Sequence, residues 1–260
     1  MSKVIAVSTN KGGVLKTSIT TNLAGLLAIE GNKVLIIDSD NQGNVSITFN
    51  RNPDDFNKTL YDVLLDEVKA EDVIFNVYKN IDILPSNDDL SFFEMDVFSN
   101  LKQYDNVLYL FKNKLDHLKE KYDYILIDTP PNLGLLVGNV FNYADEVIIP
   151  FQPEAYSMRS LIKTVQQIQS FQRKHNPNLK IKGIVGTLID SRTYIHSEIL
   201  SECRKFGLQN DIKVFDTVIP RSIRFANSVS FEGLPSTLSE KGKNLLSNAY
   251  VELKEEMTNG

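Results

Sequence analysis

The sequence predicts an α/β protein built on a doubly wound, mostly parallel sheet flanked by helices, and three observations predict it. Short apolar runs alternate along the chain with longer stretches whose apolar residues recur at helical spacing. Two of the runs, Val34-Leu35-Ile36-Ile37-Asp38 and Tyr124-Ile125-Leu126-Ile127-Asp128, carry apolar side chains on both faces, as central strands of a parallel sheet do. Between the first run and the first helical stretch lies a glycine-containing loop, Ser8 to Ser18.

The first run, Val4-Ile5-Ala6-Val7, reads as a strand, and Ile19 to Ile29 as the helix that follows it. A Gly12-Gly13 pair feeding Lys16-Thr17 at a helix start suits phosphate binding. Bare backbone N–H groups can wrap an anion there, and the helix N-terminus adds a favourable dipole. On this reading Gly12, Gly13, Val14, Leu15, Lys16, Thr17 and Ser18 form the cradle, Lys16 reaches the β- and γ-phosphates, and Thr17 ligates Mg²⁺. The general form of such a loop has glycine at positions 10 and 15, where this chain has Asn10 and Leu15. Leucine resists positive φ, so Leu15 is expected in a helical or bridge conformation with its side chain turned away from the phosphates.

Glu30-Gly31-Asn32 ends the first helix, and the next strand delivers Asp38-Ser39-Asp40, two carboxylates in a loop at a strand tip. Open α/β sheets place their sites at such tips, so these acids should face the phosphate loop. Residues 45–58, polar and rich in asparagine, read as a surface excursion in which Asp54-Asp55 is a solvated turn. Thr59 is a plausible N-cap for a helix at Leu60 to Leu65. Val73 to Val77 is a short extended piece, Ile81 to Pro85 a strand, and Ser86-Asn87-Asp88 supplies caps for another helix. Asp105 to Lys121 reads as one surface helix with Leu108, Phe111, Leu115 and Leu118 on its inner face and a solvated His117. The run ending at Asp128 is a second acid-tipped strand, and Asp128 and Asp38 are candidate carboxylates for a Mg²⁺ shared with Thr17.

Val147 to Phe151 and Ile181 to Ile189 are further strands, separated by an amphipathic helix from Ser157 to His175. A helix carrying Ile195, Ile199, Leu200 and Cys203 follows, then extended pieces at Val214-Phe215 and Thr217 to Pro220, and a closing helix from Glu240 to Glu256. Arg204, Lys205, Lys213, Arg221 and Arg224 make this region locally basic in a chain whose formal net charge is −5.

The composition is that of an ordinary globular protein, with 42% hydrophobic and 23% charged residues and nothing that looks like a linker, so residues 1–260 read as one domain. A single cysteine cannot form an internal disulfide, and three scattered histidines have no zinc-ligand spacing. No apolar run approaches the ~20 residues of a membrane span and no signal-peptide core is present, which predicts a cytoplasmic protein that does not use a membrane.

The run Lys11-Gly12-Gly13-Val14-Leu15-Lys16-Thr17 resembles the deviant Walker A motif of the ParA/MinD family of ATPases, in which the extra lysine, here Lys11, reaches the nucleotide of a partner subunit. Asp38-Ser39-Asp40-Asn41-Gln42-Gly43-Asn44 is similar to the family's Asp-x-Asp-Pro-Gln-Gly-Asn segment, with Asn41 in place of proline, and Asp128-Thr129-Pro130-Pro131 to its Walker B segment. Asp190-Ser191-Arg192-Thr193 and Ile219-Pro220-Arg221-Ser222-Ile223-Arg224 resemble runs of the partition ATPases. The resemblance spans nearly the whole chain. It implies a P-loop ATPase of the short ParA type that hydrolyses ATP slowly with Mg²⁺, stimulated by DNA and a partner, and forms an ATP-bound homodimer. It further implies nonspecific DNA binding, a ParB-like centromere-binding partner and association with the nucleoid. By resemblance, Lys11, Lys16 and Asp40 are catalytic, with Asp40 orienting the attacking water. Pro220 and Arg221 lie near adenine, and Arg192, Arg221 and Arg224 contact DNA. No strand tip carries an Asn-Lys-x-Asp guanine-reading run, in agreement with adenine. An ATPase positioning another cargo is the first alternative. A MinD-like membrane cycler would need a basic amphipathic C-terminal helix, and the segment Tyr250 to Met257 is acidic. An electron-transfer ATPase of the nitrogenase iron-protein type would need more than one cysteine.

Overall fold

The computed structural model describes residues 2–66, 68–190, 193–221, 232–239 and 245–258. Its strands are β1 (Lys3–Val7), β2 (Val34–Asp38), β3 (Phe75–Tyr78), β4 (Ile81–Leu84), β5 (Tyr124–Asp128), β6 (Glu146–Phe151), β7 (Lys180–Ile189) and β8 (Val214–Pro220). They form one sheet in the order β3-β4-β2-β5-β1-β6-β7-β8, parallel throughout except for β3, which runs antiparallel on β4. The chain leaves β1 toward one edge and returns past it toward the other. The tip of β1 is therefore the point where strand order reverses, the place where such sheets bind ligands.

Alternation along each central strand divides its side chains between two cores. Ile5, Val7, Val34, Ile36 and Leu126 face one side, where α1 (Lys16–Ile29), α2 (Asn44–Thr48) and α10 (Leu245–Thr258) cover them. Val4, Ala6, Leu35, Ile37, Ile125 and Ile127 face the other. That side is covered by α3 (Leu60–Leu65), α4 (Ala70–Val73), α5 (Phe93–Ser99), α6 (Leu110–Leu115), α7 (Leu135–Tyr143), α8 (Ser157–Lys174) and α9 (Tyr194–Gln209). The doubly wound fold is thus present as the sequence predicts.

Three local expectations are corrected. Residues 45–58 do not form only a surface excursion: Val45 and Phe49, four residues apart, bury their side chains in the α1 core through α2. Asp105 to Lys121 is not one helix, because α6 is flanked by 3-10 turns at Val107–Tyr109 and Asp116–Glu120. The cause lies in α7: Asn139 donates to the carbonyl of Val107, Asn142 to that of Leu108 and Tyr143 to that of Leu115, while Asn139 accepts from the N–H of Phe111. Side chains thereby take backbone groups that a continuous helical ladder would use. The third correction is that Val214 to Pro220 is one strand, not two pieces.

The extended piece expected at Val73 to Val77 is strand only from Phe75, since Val73 ends α4, and the closing helix expected from Glu240 is described only from Leu245. Thr59 and Asp62 form a capping box on α3, Asn87 caps the 3-10 turn at Asp88–Phe92, and Cys203 is buried within α9. His117 is exposed and lies 2.9 Å from Glu71, whose carboxyl the Lys121 ammonium holds down at about 2. At the β8 end of the sheet, Glu256 of α10 accepts hydrogen bonds from the backbone N–H groups of Asp216 (3.0 Å) and Thr217 (2.8 Å). No helix among the described residues is long and apolar enough to cross a membrane.

Candidate functional site

The loop that leaves β1 turns back into α1 through two left-handed residues. Gly13 has φ 71°, which glycine adopts without steric cost. Leu15, immediately before α1, has φ 69° and ψ 26°. This overturns the helical or bridge conformation expected for Leu15. The left-handed step at this position carries the loop into α1, and the leucine bears a strain of roughly 1–2 kcal/mol. Its half-buried side chain packs on the α1 core, which offsets part of that strain. α1 has no side-chain cap and no acid in its own first turn, so its own sequence leaves the positive end of its dipole uncompensated.

Lys16 and Thr17 point to opposite tasks. Lys16 is buried, and its ammonium donates to the carbonyl of Lys11 at 3.2 Å, bracing the loop across its mouth. Burial lowers the affinity of that amine for its proton, while the carboxylates of Asp128 and Asp40 work against the shift. Thr17 donates its hydroxyl to Asp128 at 2.6 Å. Asp38 and Asp128 end neighbouring strands in direct register, both fully buried. Asp38 accepts from the N–H groups of Asp40 and Val45, each at 3.1 Å. Burial first, and then the charge of Asp128, pushes the Asp38 carboxyl well up. Burial likewise pushes Asp128 up to about 7, although the Thr17 hydroxyl and Lys16 hold it down.

One oxygen of Asp128, Oδ1, is buried without a hydrogen-bond partner. Two buried carboxylates and an orphaned oxygen beside a threonine hydroxyl form a site short of positive charge, and this donor set fits Mg²⁺. No group of three or more His, Cys, Asp or Glu side chains converges into a metal cage among the described residues. None is needed, because Mg²⁺ is commonly held by one or two carboxylates together with phosphates and water.

The cradle residues Gly12 to Ser18 line a cavity of about 640 Å³ together with Asp40, Asn44, Ile47 and Pro131. Asp40 is buried at its wall, its carboxylate accepting from the N–H of Gln42 at 3.2 Å and its carbonyl from Ser86 at 2.5 Å. Asn44, Ile47 and Thr48 belong to α2, so the segment read as a surface excursion supplies part of this wall. Its signal was the Val45/Phe49 spacing. Lys11 stands at the rim, and its ammonium lies 2.6 Å from Glu154, a residue 143 positions away that sequence reasoning did not single out.

Pro220 ends β8 and Arg221 follows it, and neither lines this cavity. Arg221 is exposed, with its N–H donating to the carbonyl of Ile189. Arg192 and Arg224 lie outside the described residues. Of the other basic residues in the region, Lys213 donates to the carbonyl of Glu256 and lies over the Phe215 ring, and Arg204 lies 4.0 Å from Asp216.

A phosphate-binding loop at the switch point of a parallel sheet, with a buried lysine and two acid-tipped strands beneath it, defines a P-loop NTPase fold. The family model described as "AAA domain" matches residues 2–181. The chromosome partitioning protein ParA of Caulobacter vibrioides is 34% identical over 259 residues, 98% of this chain and 93% of that one. The chain belongs to the ParA/MinD family of deviant Walker A ATPases. Among solved structures, a plasmid partition protein of Borrelia burgdorferi bound to AMPPNP superposes with a TM-score of 0.83 at 26% identity, covering 100% of this chain and 99% of that one. Cobyrinic acid a,c-diamide synthase of Mycobacterium smegmatis, with a bound ATP analogue and magnesium, gives 0.84 at 28% identity, covering 98% and 93%.

Proposed function

We propose that this chain is a ParA-type partition ATPase. It binds and hydrolyses ATP with Mg²⁺, forms an ATP-dependent sandwich dimer and binds DNA without sequence preference, and so segregates plasmid or chromosomal DNA with a ParB-like centromere-binding partner. The observation that carries the reading is the pairing of an anion cradle, Gly12 to Ser18 with buried Lys16, and a cation-deficient pair, Asp38 and Asp128, within one site. Mg-ATP supplies both missing charges at once. Relatives and structural neighbours that partition DNA or bind adenine nucleotides support it.

Thr17, Asp128 and Asp38 would hold Mg²⁺, which when bound neutralises charge on the phosphate oxygens. Backbone N–H groups of the loop and Lys16 bind the phosphates and fix their orientation, the main protein contribution to phosphoryl transfer. Asp40, buried at the cavity wall and fixed by Gln42, positions a water and accepts its proton. Lys11, in front of the cradle, reaches the nucleotide of a second copy.

DNA binding rests on Arg192, Arg221 and Arg224, with Lys205 and Lys213 as weaker contributors. A MinD-like membrane role is disfavoured because Tyr250, Leu253 and Met257 spend the apolar face of α10 in the core. Sole Cys203 is buried, which pushes its thiol up to about 12 and leaves it unsuited to nucleophilic or cluster chemistry. The test compares the wild type with Asp40→Ala, measuring ATP hydrolysis with and without nonspecific duplex DNA. The wild type should hydrolyse ATP faster with DNA. The variant should bind ATP normally and lose about 10²- to 10⁴-fold in rate. No hydrolysis by the wild type under either condition, or an unimpaired variant, would refute the reading.

A further inference from the structure

Lys11 is not free at the rim of the cavity. Its ammonium lies 2.6 Å from Glu154, which sits in the turn between β6 and α8. That turn is built to aim the carboxylate. The N–H of Glu154 donates both to the carbonyl of Gln152 and to the hydroxyl of Ser157, each at 3.0 Å, and the N–H of Ser157 returns to the carbonyl of Glu154. Gln152 donates its side-chain amide to Glu154 Oε1, leaving Oε2 for Lys11. Tyr156 completes the turn in a left-handed conformation, φ 68°, with 89% of its surface exposed, a conformation few non-glycine residues hold. A second tie runs beside the first, from the Ser160 hydroxyl of α8 to the Asn10 side chain at 2.5 Å.

We propose that Glu154 is a positioning residue that holds Lys11 on its own chain, so that formation of the sandwich dimer exchanges this carboxylate for the phosphates of the partner's nucleotide. The inference rests on the sandwich-dimer reading above and deepens it by naming what Lys11 must leave. The strength of the pair suits an exchange. Both side chains are partly exposed, Lys11 at 32% and Glu154 at 48%, and exposed pairs bias an equilibrium by only about 1.5- to 5-fold. A two-fold dimer breaks two such pairs, so the opposition to dimerisation is about 2- to 25-fold. A buried pair would trap the lysine. Glu154 is not stranded by the exchange: Lys11 is the main influence holding its carboxyl below the usual range, but His196 and Arg221 act in the same direction.

The experiment uses Glu154→Gln, an exposed and nearly isosteric change, with two readouts. Without nucleotide, acylation of the Lys11 amine, followed by peptide mass spectrometry, should be faster in the variant because the amine has lost its carboxylate. With Mg-ATP, the dimer dissociation constant from sedimentation equilibrium should be about 2- to 25-fold tighter in the variant than in the wild type. Unchanged Lys11 acylation would overturn the proposal by showing that the pair does not hold the lysine. Faster acylation with an unchanged or weaker dimer constant would overturn it by showing that Glu154 does not compete. A wild type that stays monomeric with Mg-ATP would fail the sandwich reading itself and the exchange with it, an outcome distinct from a dimerising wild type matched by the variant.

Discussion

Replacing Asp128 by asparagine removes one charge from the strand-tip pair and leaves its shape. In the nucleotide-free protein the native carboxyl keeps its proton up to about pH 7, whereas the unfolded chain gives it up near 3.8. An acid raised in this way contributes stability that is fully present below pH 3.8 and is lost as pH rises through about 7. At about 1.4 kcal/mol per pH unit the loss has a ceiling of about 4 kcal/mol, complete near pH 7. Asparagine cannot ionise, so its profile between pH 5 and 8 should fall by at least about 1 kcal/mol less than that of the wild type. Its amide nitrogen, at the place of the orphaned Oδ1, adds a penalty of about 1–3 kcal/mol, but that penalty is independent of pH and drops out of the comparison. Urea unfolding midpoints at pH 5 and 8, with EDTA present, measure the difference. Added Mg²⁺ and ATP should then stabilise the wild type more at pH 8 than at pH 5, and the variant little at either. Parallel pH profiles for the two proteins would refute the argument that burial holds Asp128 in its protonated form.

Three further outcomes are expected. Lys11→Ala should bind ATP in an equilibrium titration but fail to dimerise or hydrolyse it, and normal dimerisation by sedimentation would remove Lys11 from a role in trans. Leu15→Gly exchanges a strain of roughly 1–2 kcal/mol for a glycine entropy cost of about 0.5–1 kcal/mol and lost packing. Its stability should therefore stay within about 1 kcal/mol of the wild type and its ATP affinity should hold; a wild type that binds no Mg-ATP until Leu15 is replaced would contradict this. Replacing Arg192, Arg221 and Arg224 together by alanine should weaken ATP-dependent DNA binding equally on duplexes of different base composition. It should also flatten the slope of log K against log salt by about 0.9 for each phosphate contact removed, and an unchanged slope would exclude these arginines.

The parts of the site legible in the sequence are those that a single local pattern specifies. β1, the loop and α1 announce themselves by an apolar run, a glycine pair and helical spacing, and Asp38 and Asp128 by their place at the ends of strands apolar on both faces. What stayed hidden depended on contacts distant in sequence. Glu154 meets Lys11 only after β1 and β6 are brought together in the sheet. The break of residues 105–121 into three pieces is imposed by Asn139, Asn142 and Tyr143 on another helix. α2 is too short for its spacing to outweigh a polar composition until Val45 and Phe49 find the core. The conformation of Leu15 was misjudged for a different reason: propensity weighs the cost of left-handed leucine but not the requirement of the loop that overrides it.

Glu256 gives the sheet a property beyond the chemistry of its centre. β8 ends the strand order among the described residues, and a terminal strand with open N–H groups is a template on which another chain can lay a strand. The carboxylate of Glu256 already occupies the N–H groups of Asp216 and Thr217. Wherever copies of a protein meet at high concentration, a bare edge would invite fusion of sheets from neighbouring copies. With two of its N–H groups taken by its own helix, this edge offers a second copy a poorer template, and neighbouring sheets stay separate.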